Sequence, residues 1–349
     1  MRGVPNPLDP IVAPDELHEA LQRVLSDYFS EPITITEWHR QVSQYSSSYM
    51  IEELDLHFAE REPLKLMFKD LSPNALLTEA VRNKPAFCDD SLREIDTYRK
   101  VLRYLQLGTA TFYGAVVDQN TERYWLFLER LDPVHLWQMG DFVVWERVAA
   151  WLSRAHLILA EPARWGHRRS RHLLRHDRNF YRHWMKRAQE FVRHRDKSAD
   201  HAASDTIDRI AAKYDAVVER LVGLPPTIIH GEFYPSNVLL EQCDTETPRV
   251  CAVDWEMAAY GPGLIDLAAL TSGNWTPEQR QSMVRNYHGA LTDELRDKWD
   301  FETFQSDLDC CRLHQAIQFL GWSRDWAAPP EHAQDWLEEA VTVAGRLRL

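Results

Sequence analysis

Apolar residues follow two different periods along this chain, and each period predicts its own kind of structure. In the first third, most apolar stretches alternate with polar residues, which is the pattern of half-buried β-strands. Leu54, Leu56 and Phe58 show the pattern most clearly, because the residues between them are charged or polar. The predicted strands cover residues 33–38, 47–58, 64–71, 110–118 and 123–131.

Helical spacing of apolar residues dominates the rest of the chain. The predicted helices cover residues 15–29, 91–105, 141–159 and a region near 205–222. The third of these begins at Asp141, a residue type that caps helix N-termini well. We therefore predict an α+β protein in two lobes, a small antiparallel-sheet lobe over residues 1–132 and a larger, mainly helical lobe over residues 133–349.

Composition narrows the class of protein without indicating a reaction. The 349 residues suffice for two lobes, and 44% hydrophobic and 27% charged residues are ordinary for a soluble globular protein. The net charge of −13 argues against a nucleic-acid-binding protein and favours cationic small molecules. No long apolar run, no apolar signal-peptide core and no C-x-x-C pair occurs. We expect a cytoplasmic protein that does not span a membrane, and composition leaves its oligomeric state open.

One stretch combines apolar runs with groups that can do chemistry. In IIHGEFYPSNVLL, residues 228–240, the carboxylate of Glu232 and the amide of Asn237 lie between two strand-like runs. A later run, VCAVDW at 250–255, brings the carboxylate of Asp254. If these runs pair as a hairpin, Asn237 and Asp254 come close enough to share one Mg²⁺ through oxygen ligands. Glu232 would then face whatever group attacks a phosphate.

The motifs HGEFYPSN and VDWEMAAYGPGLIDLA resemble those of the aminoglycoside phosphotransferase and choline kinase family, small-molecule kinases with a protein-kinase-like fold. That family has a catalytic loop H-G-D-x-x-x-x-N, and a D-[WF]-E-like metal segment followed by G-x-x-x-x-D-L-A. Both occur here in order, within a resemblance over residues 33–330. The resemblance implies ATP or GTP as the phosphate donor, Mg²⁺ as the cofactor and a small-molecule hydroxyl as the acceptor. One position departs, because Glu232 stands where the family has aspartate.

The resemblance also implies an ion pair that contacts the nucleotide. Lys69, at the end of the third predicted strand, matches the lysine of the family that binds the α and β phosphates. Glu94, on the helix that follows, matches the carboxylate that orients this lysine. Lys65 is a competing assignment for the lysine, four residues earlier on the same strand.

Two further segments are implied to bind the nucleotide through their position in the family fold. Ser46, Ser47 and Ser48 occupy the loop that covers the phosphates, and this loop contains no glycine. Hydroxyl and backbone N–H groups there can donate to a phosphate, although an ordinary polar hairpin turn explains the sequence equally well. Backbone groups around Glu129 to Leu131 match the connector that pairs with the adenine.

Other polar residues of the two motifs are expected to support the site. By resemblance, His230 packs and hydrogen-bonds to hold the catalytic loop, and Asp266 braces the loop backbone. Glu256, two residues past Asp254, is a candidate for an outer role at the metal. His156 falls on the buried side of its predicted helix, where we expect a hydrogen-bonded core histidine.

Residues 164–197 form a basic segment in an otherwise acidic chain. Phe180, Trp184, Ala188 and Phe191 make an apolar stripe there, so the charges can be the solvated face of an amphipathic helix. Binding of the acceptor, or of a phosphate-bearing partner such as RNA, are the other interpretations.

Three tryptophans bear on the acceptor. Trp275, Trp322 and Trp326 lie in the C-terminal helical part, where members of the family build their acceptor pockets. Aromatic faces suit a cationic amine, and core packing is the alternative.

Two functions of different classes follow. The leading hypothesis is a Mg²⁺-dependent phosphotransferase that uses ATP or GTP and acts on a hydroxyl of a small, cationic or amino-sugar-like molecule. The alternative is a catalytically silent kinase-like binding module, which Glu232 and the glycine-free loop favour.

Overall fold

The computed structural model describes residues 12–46, 48–132, 134–160, 171–196, 201–241, 248–322 and 334–349. Among these residues the chain divides into two compact units. The first takes its residues from Met1–Arg82, Asp89–Pro133 and Arg168–His172, and the second from Asn83–Cys88, Val134–His167 and Leu173–Leu349. The segment Asn83–Cys88 therefore belongs to the second unit, although its neighbours in sequence belong to the first.

The first unit is built on one antiparallel sheet. Its elements are α1 (Pro14–Phe29), β1 (Ile35–Val42), β2 (Ile51–Phe58), β3 (Leu64–Asp70), α2 (Thr78–Asn83), α3 (Ser91–Asp96), β4 (Phe112–Asp118) and β5 (Arg123–Glu129). The strands lie in the order β1-β2-β3-β5-β4. The strand β1 runs further than predicted, because its polar second half is held by pairing with β2, up to Val42 opposite Glu52.

The core of this unit forms between the sheet and α1. Leu17, Leu21 and Leu25 lie on one face of α1 and are fully buried. They share one apolar cluster with residues of the sheet such as Leu54 and Phe68. The apolar stripe of the helix therefore packs against the apolar face of the sheet, whose strands alternate apolar and polar residues.

The helix predicted over 91–105 is shorter and less regular than expected. Asp90 caps α3 by accepting the N–H of Leu92, and the chain then widens into a π-helical turn over Thr97–Val101. Asp96, at the end of α3, is buried and pairs with Arg99 and Lys100 at 2.6 Å each. The apolar stripe predicts the helical start, but its period carries no information about the change of turn type.

The second unit is mainly helical and contains two small three-stranded sheets. Its elements are β6 (Val134–His135), α4 (Phe142–Ala160), β7 (Leu174–Arg175), α5 (Arg178–Arg195), α6 (Ala202–Gly223), β8 (Pro226–Ile229), β9 (Val238–Glu241), β10 (Arg249–Ala252), β11 (Ala259–Pro262), α7 (Leu264–Leu270), α8 (Pro277–Gly289), α9 (Asp293–Lys298), α10 (Phe301–Gly321) and α11 (Trp336–Arg346). The sheet orders are β10-β9-β6 and β7-β11-β8. The helix α10 packs against α5, α7 and α11. Within the described ranges, no helix has the length and apolar character needed to cross a membrane.

The described part of the basic segment behaves as an amphipathic helix. The predicted stripe of α5, including Trp184 and Ala188, is buried. On its exposed face, arginines pair with acidic residues of α6, for example Arg182 with Asp215 at 2.8 Å. These contacts favour the interpretation as a solvated, ion-paired face. Residues 164–170 and Lys197 lie outside the described residues.

Candidate active site

A buried carboxylate holds the loop that follows β8. Asp266, in the first turn of α7, is 1% exposed. Its Oδ2 accepts the backbone N–H of His230 at 2.8 Å, and its Oδ1 accepts that of Gly231 at 2.9 Å. Hydrogen bonds from two successive N–H groups to one charged acceptor are strong, so they fix the backbone immediately before Glu232.

Asp266 contacts a histidine of α4, which in turn contacts a tyrosine of α8. His156 Nε2 lies 3.1 Å from Asp266 Oδ2, and His156 Nδ1 lies 2.9 Å from the hydroxyl of Tyr287. Burial raises the pKa of Asp266, but the hydrogen bond and charge of His156, together with the charge and backbone hydrogen bond of His230, outweigh it, so the pKa lies below its usual range. The predicted core histidine is therefore confirmed as buried and hydrogen-bonded, and it serves the loop through Asp266.

Gly231 lets the loop pass close to another segment. Its φ of +87° lies in the left-handed region, which L side chains rarely adopt. A Cβ at this position would stand 2.4 Å from the carbonyl oxygen of Met257. No other residue type fits here without moving the backbone that carries Glu232.

Hydrogen bonds within the loop set the positions of Glu232 and Asn237. The Asn237 side chain donates from Nδ2 to the carbonyl of Glu232 at 3.0 Å. His230 Nε2 lies 2.8 Å from the carbonyl of Val253, and the Val253 N–H donates to the carbonyl of Asn237 at 3.0 Å. These bonds tie the loop to the strand that leads to Asp254.

The predicted hairpin brings the two candidate metal ligands to the same end. In it β9 pairs with β10, with Val238 opposite Ala252. Asn237 precedes the first pair and Asp254 follows it by two residues. Asp254 has φ 66° and ψ 62°, a left-handed conformation that costs about 1–3 kcal/mol in a non-glycine residue. Strain of this kind concentrates at functional sites.

Three carboxylates and one ammonium interact at this end of the hairpin. Burial raises the pKa of the half-buried Glu232, and the negative charges of Glu256 and Asp254 raise it further. Lys84 opposes the shift, and its Nζ lies 2.9 Å from Glu256 Oε2. The three carboxylates and the ammonium therefore interact electrostatically.

The first unit contains the predicted lysine–glutamate pair. Lys69 Nζ lies 2.9 and 2.7 Å from the two carboxylate oxygens of Glu94, and the side chains are 8% and 2% exposed. Lys65 instead pairs with Asp132 at 2.9 Å and is 50% exposed. Lys69, and not Lys65, therefore makes the ion pair with Glu94.

A family model matches a large part of the chain. The model of the phosphotransferase enzyme family, APH, matches residues 80–301, more than half of the chain. The chain belongs to the phosphotransferase enzyme family. No curated protein sequence matches it.

Solved structures of kinases share the fold of this phosphotransferase-family protein. A GDP complex of an aminoglycoside 2′-phosphotransferase of type IIIa is 12% identical, covers 95% of this chain and 97% of its own, and has a TM-score of 0.58. A choline kinase from Cryptosporidium parvum is 12% identical, with 96% of this chain and 94% of the kinase chain covered and a TM-score of 0.57. An ethanolamine kinase from Plasmodium vivax is 12% identical, with 99% of this chain and 91% of the kinase chain covered and a TM-score of 0.55. The predicted protein-kinase-like fold is confirmed, with a sheet-based unit and a helical unit.

The predicted nucleotide segments of this family member have local contacts of their own. The Ser46 hydroxyl donates to the carbonyl of Ser43 at 3.0 Å and accepts the N–H of Ile51 at 3.0 Å. This is how a polar hairpin turn is closed, so a phosphate role for Ser46 stays a prediction. The carbonyl of Ser48 accepts the N–H of Leu77 at 3.0 Å, and Ser47 lies outside the described residues.

The segment predicted to pair with the adenine also makes hydrogen bonds to another residue of the protein. Glu129 ends β5, and its Oε2 accepts from both the N–H and the hydroxyl of Thr111 at 2.9 Å. Leu131 is buried. Pairing of this backbone with a base stays a prediction.

The predicted acceptor tryptophans pack against other rings. Trp275 contacts Trp145 with ring centroids 4.6 Å apart, and Trp322 stacks on Trp184 at 5.6 Å. Both contacts are typical of core packing. Trp326 lies outside the described residues.

The oxygens present suit the metal that the family implies. Asn237 uses Nδ2 in the loop, so its amide offers Oδ1 as the ligand atom. Mg²⁺ is held in proteins by one or two carboxylates, with phosphate oxygens and waters completing the coordination. In the described part of the chain, no three His, Cys, Asp or Glu side chains form a complete metal site, and Asn237 with Asp254 offers such a partial set.

Lys84 is the site residue that the sequence analysis missed. It lies 172 residues from Glu256 along the chain, in a segment without helical or strand periodicity. Neither spacing nor motif pointed to it, because the contact depends on Asn83–Cys88 joining the second unit.

Replacing Asp266 by asparagine should destabilise the protein in a pH-dependent way. An amide cannot accept from both N–H groups and from His156, so we expect a loss of roughly 3 kcal/mol at neutral pH. The pKa of Asp266 is lowered by folding, so its contribution is present above its unfolded pKa of about 3.9. The Tm difference between wild type and Asp266→Asn should therefore shrink as the pH falls through and below that value.

Thermal unfolding from pH 7 to pH 3 measures this difference. Asp297→Asn, at an exposed aspartate of the same unit, is the matched control and should change Tm little at any pH. An Asp266→Asn protein as stable as the control at pH 7 would contradict the bracing role.

Proposed function

We propose that this protein is a small-molecule kinase, which transfers the terminal phosphoryl group of ATP or GTP to a hydroxyl of a small acceptor with the help of Mg²⁺. The observation that carries the proposal is that the β9–β10 hairpin places Asn237 and Asp254 at the same end, where the Asn237 amide donates to the carbonyl of Glu232. Membership of the phosphotransferase enzyme family supports it. The kinases of similar fold include complexes with GDP.

Each residue has a role that follows from its chemistry. Asn237 and Asp254 would hold Mg²⁺ through oxygen atoms, and the metal when bound neutralises charge on the phosphates. Glu232 would accept a hydrogen bond from the acceptor hydroxyl and take its proton as the bond to phosphorus forms. Lys69, oriented by Glu94, would bind phosphate oxygens.

The raised pKa of Glu232 suits a proton acceptor. A carboxylate whose negative form is disfavoured binds a proton more strongly than an exposed one, as a proton acceptor must. Glutamate extends one methylene further than the aspartate of the family. Asn237 donates to the carbonyl of Glu232, and the N–H of Glu232 donates to His230 Nδ1. These bonds hold the backbone that carries the longer side chain, which is consistent with a loop adjusted to glutamate.

The acceptor belongs to a class rather than a named compound. The kinases of similar fold act, by their names, on aminoglycosides, choline and ethanolamine. The net charge of −13 favours a cationic acceptor. We therefore propose an acceptor that carries both a hydroxyl and an amine.

Incubation with nucleotide and acceptors tests the activity directly. We expect purified protein with Mg²⁺ and ATP or GTP to convert at least one amino alcohol or amino sugar of a broad panel into a phosphomonoester, detected by ³¹P resonance. Asp254→Asn should abolish the signal. Nucleotide binding in thermal-shift titrations, without turnover of either nucleotide across the panel, would instead indicate the silent binding module.

Changes at Glu232 should separate catalysis from stability. Glu232→Gln should lower kcat by about 10²–10⁴-fold. It should also raise the Tm of the ligand-free protein, because a carboxylate whose pKa is raised by folding opposes folding at pH values above that pKa. The gain should shrink as the pH falls below it, and vanish only below the unfolded glutamate pKa of about 4.3.

Glu232→Asp provides the matched comparison, because it keeps the charge and shortens the side chain. We expect turnover to fall on the order of a hundredfold, since a reacting group displaced by about 1 Å loses that much. Higher turnover in Glu232→Asp than in wild type would contradict a loop adjusted to glutamate.

The two lysines of β3 should respond differently to substitution. Lys69→Met removes the buried ammonium and should lower kcat/KM for the nucleotide by about a hundredfold or more. Lys65→Met removes an exposed charge of the same strand and should change kcat/KM by less than about twofold. Steady-state kinetics with nucleotide varied, on variants shown by circular dichroism to be folded, make the comparison. Equal effects would exclude a special role for Lys69.

A further inference from the structure

Lys84 brings a positive charge to the acidic residues of the active site from a distant part of the chain. Its ammonium lies 2.9 Å from Glu256 Oε2, and the side chains of the two residues are only 6% and 13% exposed. Burial removes both charges from water. Each charge stabilises the other, because a buried charge without a partner would lose its hydration without compensation.

An aromatic anchor holds the segment that carries this lysine. Phe87, three residues further on, packs against Phe180, His183 and Trp184 of α5, with ring centroids 6.3, 4.3 and 5.2 Å away. The next residue, Cys88, is buried. The position of Lys84 is therefore fixed by packing against the helical unit.

Glu256 lies close to the proposed metal ligand Asp254. The short 3₁₀ turn Trp255–Met257 begins directly after Asp254 and contains Glu256. A glutamate so close to a divalent cation is a potential competing ligand, since carboxylates are preferred by hard cations. In this structure the Glu256 carboxylate is engaged by Lys84.

Lys84 offsets part of the negative charge that Glu232, Asp254 and Glu256 bring to this end of the hairpin. Without Lys84 the excess of negative charge would be larger, and the Glu256 carboxylate would lose the ammonium that lies 2.9 Å from it.

We propose that Lys84 is a positioning residue of the phosphotransfer site, which holds Glu256 away from metal coordination and limits the attraction of the carboxylate cluster for divalent cations. The role rests on the proposed function, because it assigns the metal to Asn237 and Asp254. It adds a residue on which the charge and geometry of the site depend.

Manganese binding tests this role without requiring turnover. The probe is Mn²⁺ titrated into the full-length protein with ADP present, followed by electron paramagnetic resonance. Lys84→Met should bind Mn²⁺ about tenfold more tightly than wild type, since a nearby positive charge is lost. Lys84→Arg, which keeps the charge, should stay close to wild type.

The chain offers a matched control for the loss of a lysine–glutamate pair. Lys298 pairs with Glu294 at 2.6 Å in the same unit, with side chains 70% and 76% exposed. Lys298→Met should leave Mn²⁺ affinity unchanged. Adding Glu256→Gln to Lys84→Met should return Mn²⁺ affinity to near the wild-type value, because the competing carboxylate is gone.

Each outcome decides the proposal. A Lys84→Met protein that loses thermal stability but binds Mn²⁺ no more tightly than Lys298→Met would show a purely structural ion pair and overturn it. If Lys84→Met fails to fold, Glu256→Gln alone decides, because an ammonium without its partner should weaken Mn²⁺ binding about tenfold. Unchanged affinity in that variant would overturn the role.

The proposed function and the role of Lys84 can fail separately. A wild-type protein that phosphorylates an acceptor, with Mn²⁺ affinity unaffected by Lys84→Met, would overturn only the role of Lys84. A wild-type protein that binds Mn²⁺ as described but turns over no nucleotide would overturn only the phosphotransfer activity.

Discussion

A single buried carboxylate, Asp266, holds the loop on which the active site depends. It accepts two successive backbone N–H groups and contacts His156. Burying an unpaired carboxylate would be prohibitive, and these three partners make it favourable. The same bonds fix His230 and Gly231 immediately before Glu232, the proposed catalytic residue, so one interaction contributes both to stability and to the geometry of the proposed site.

The site built on this loop accumulates negative charge. The negative charges of Glu256 and Asp254 raise the pKa of Glu232, and Asp254 has a left-handed backbone conformation. Such costs are tolerated where they prepare a site for a partner that relieves them. Lys84 relieves part of the repulsion from within the chain, and a metal–nucleotide complex would relieve the rest. Function here is therefore opposed to maximal stability.

Local patterns in the sequence predicted much of the fold and part of the site. The spacing of the leucines predicts the helix α1, and the alternation of apolar and polar residues predicts the strand β2. Both predictions work because buried side chains recur with the period of the backbone that carries them. The hairpin could be predicted because its strands are close in sequence. Two features could not be predicted in this way: the π-helical turn after Asp96 and the pairing of Lys84 with Glu256. Both depend on tertiary contacts, which leave no periodic pattern or motif spacing in the sequence.

In the proposed site, Asn237 and Asp254 hold one divalent cation beside Glu232. A crystal structure of the protein with Mn²⁺ and a non-hydrolysable nucleotide, with the manganese located by its anomalous scattering, shows whether they do. We expect one manganese peak within about 2.3 Å of Asn237 Oδ1 and an Asp254 carboxylate oxygen, with Glu256 still paired to Lys84. A manganese ion bound elsewhere, or phosphates distant from the β9–β10 hairpin, would contradict it.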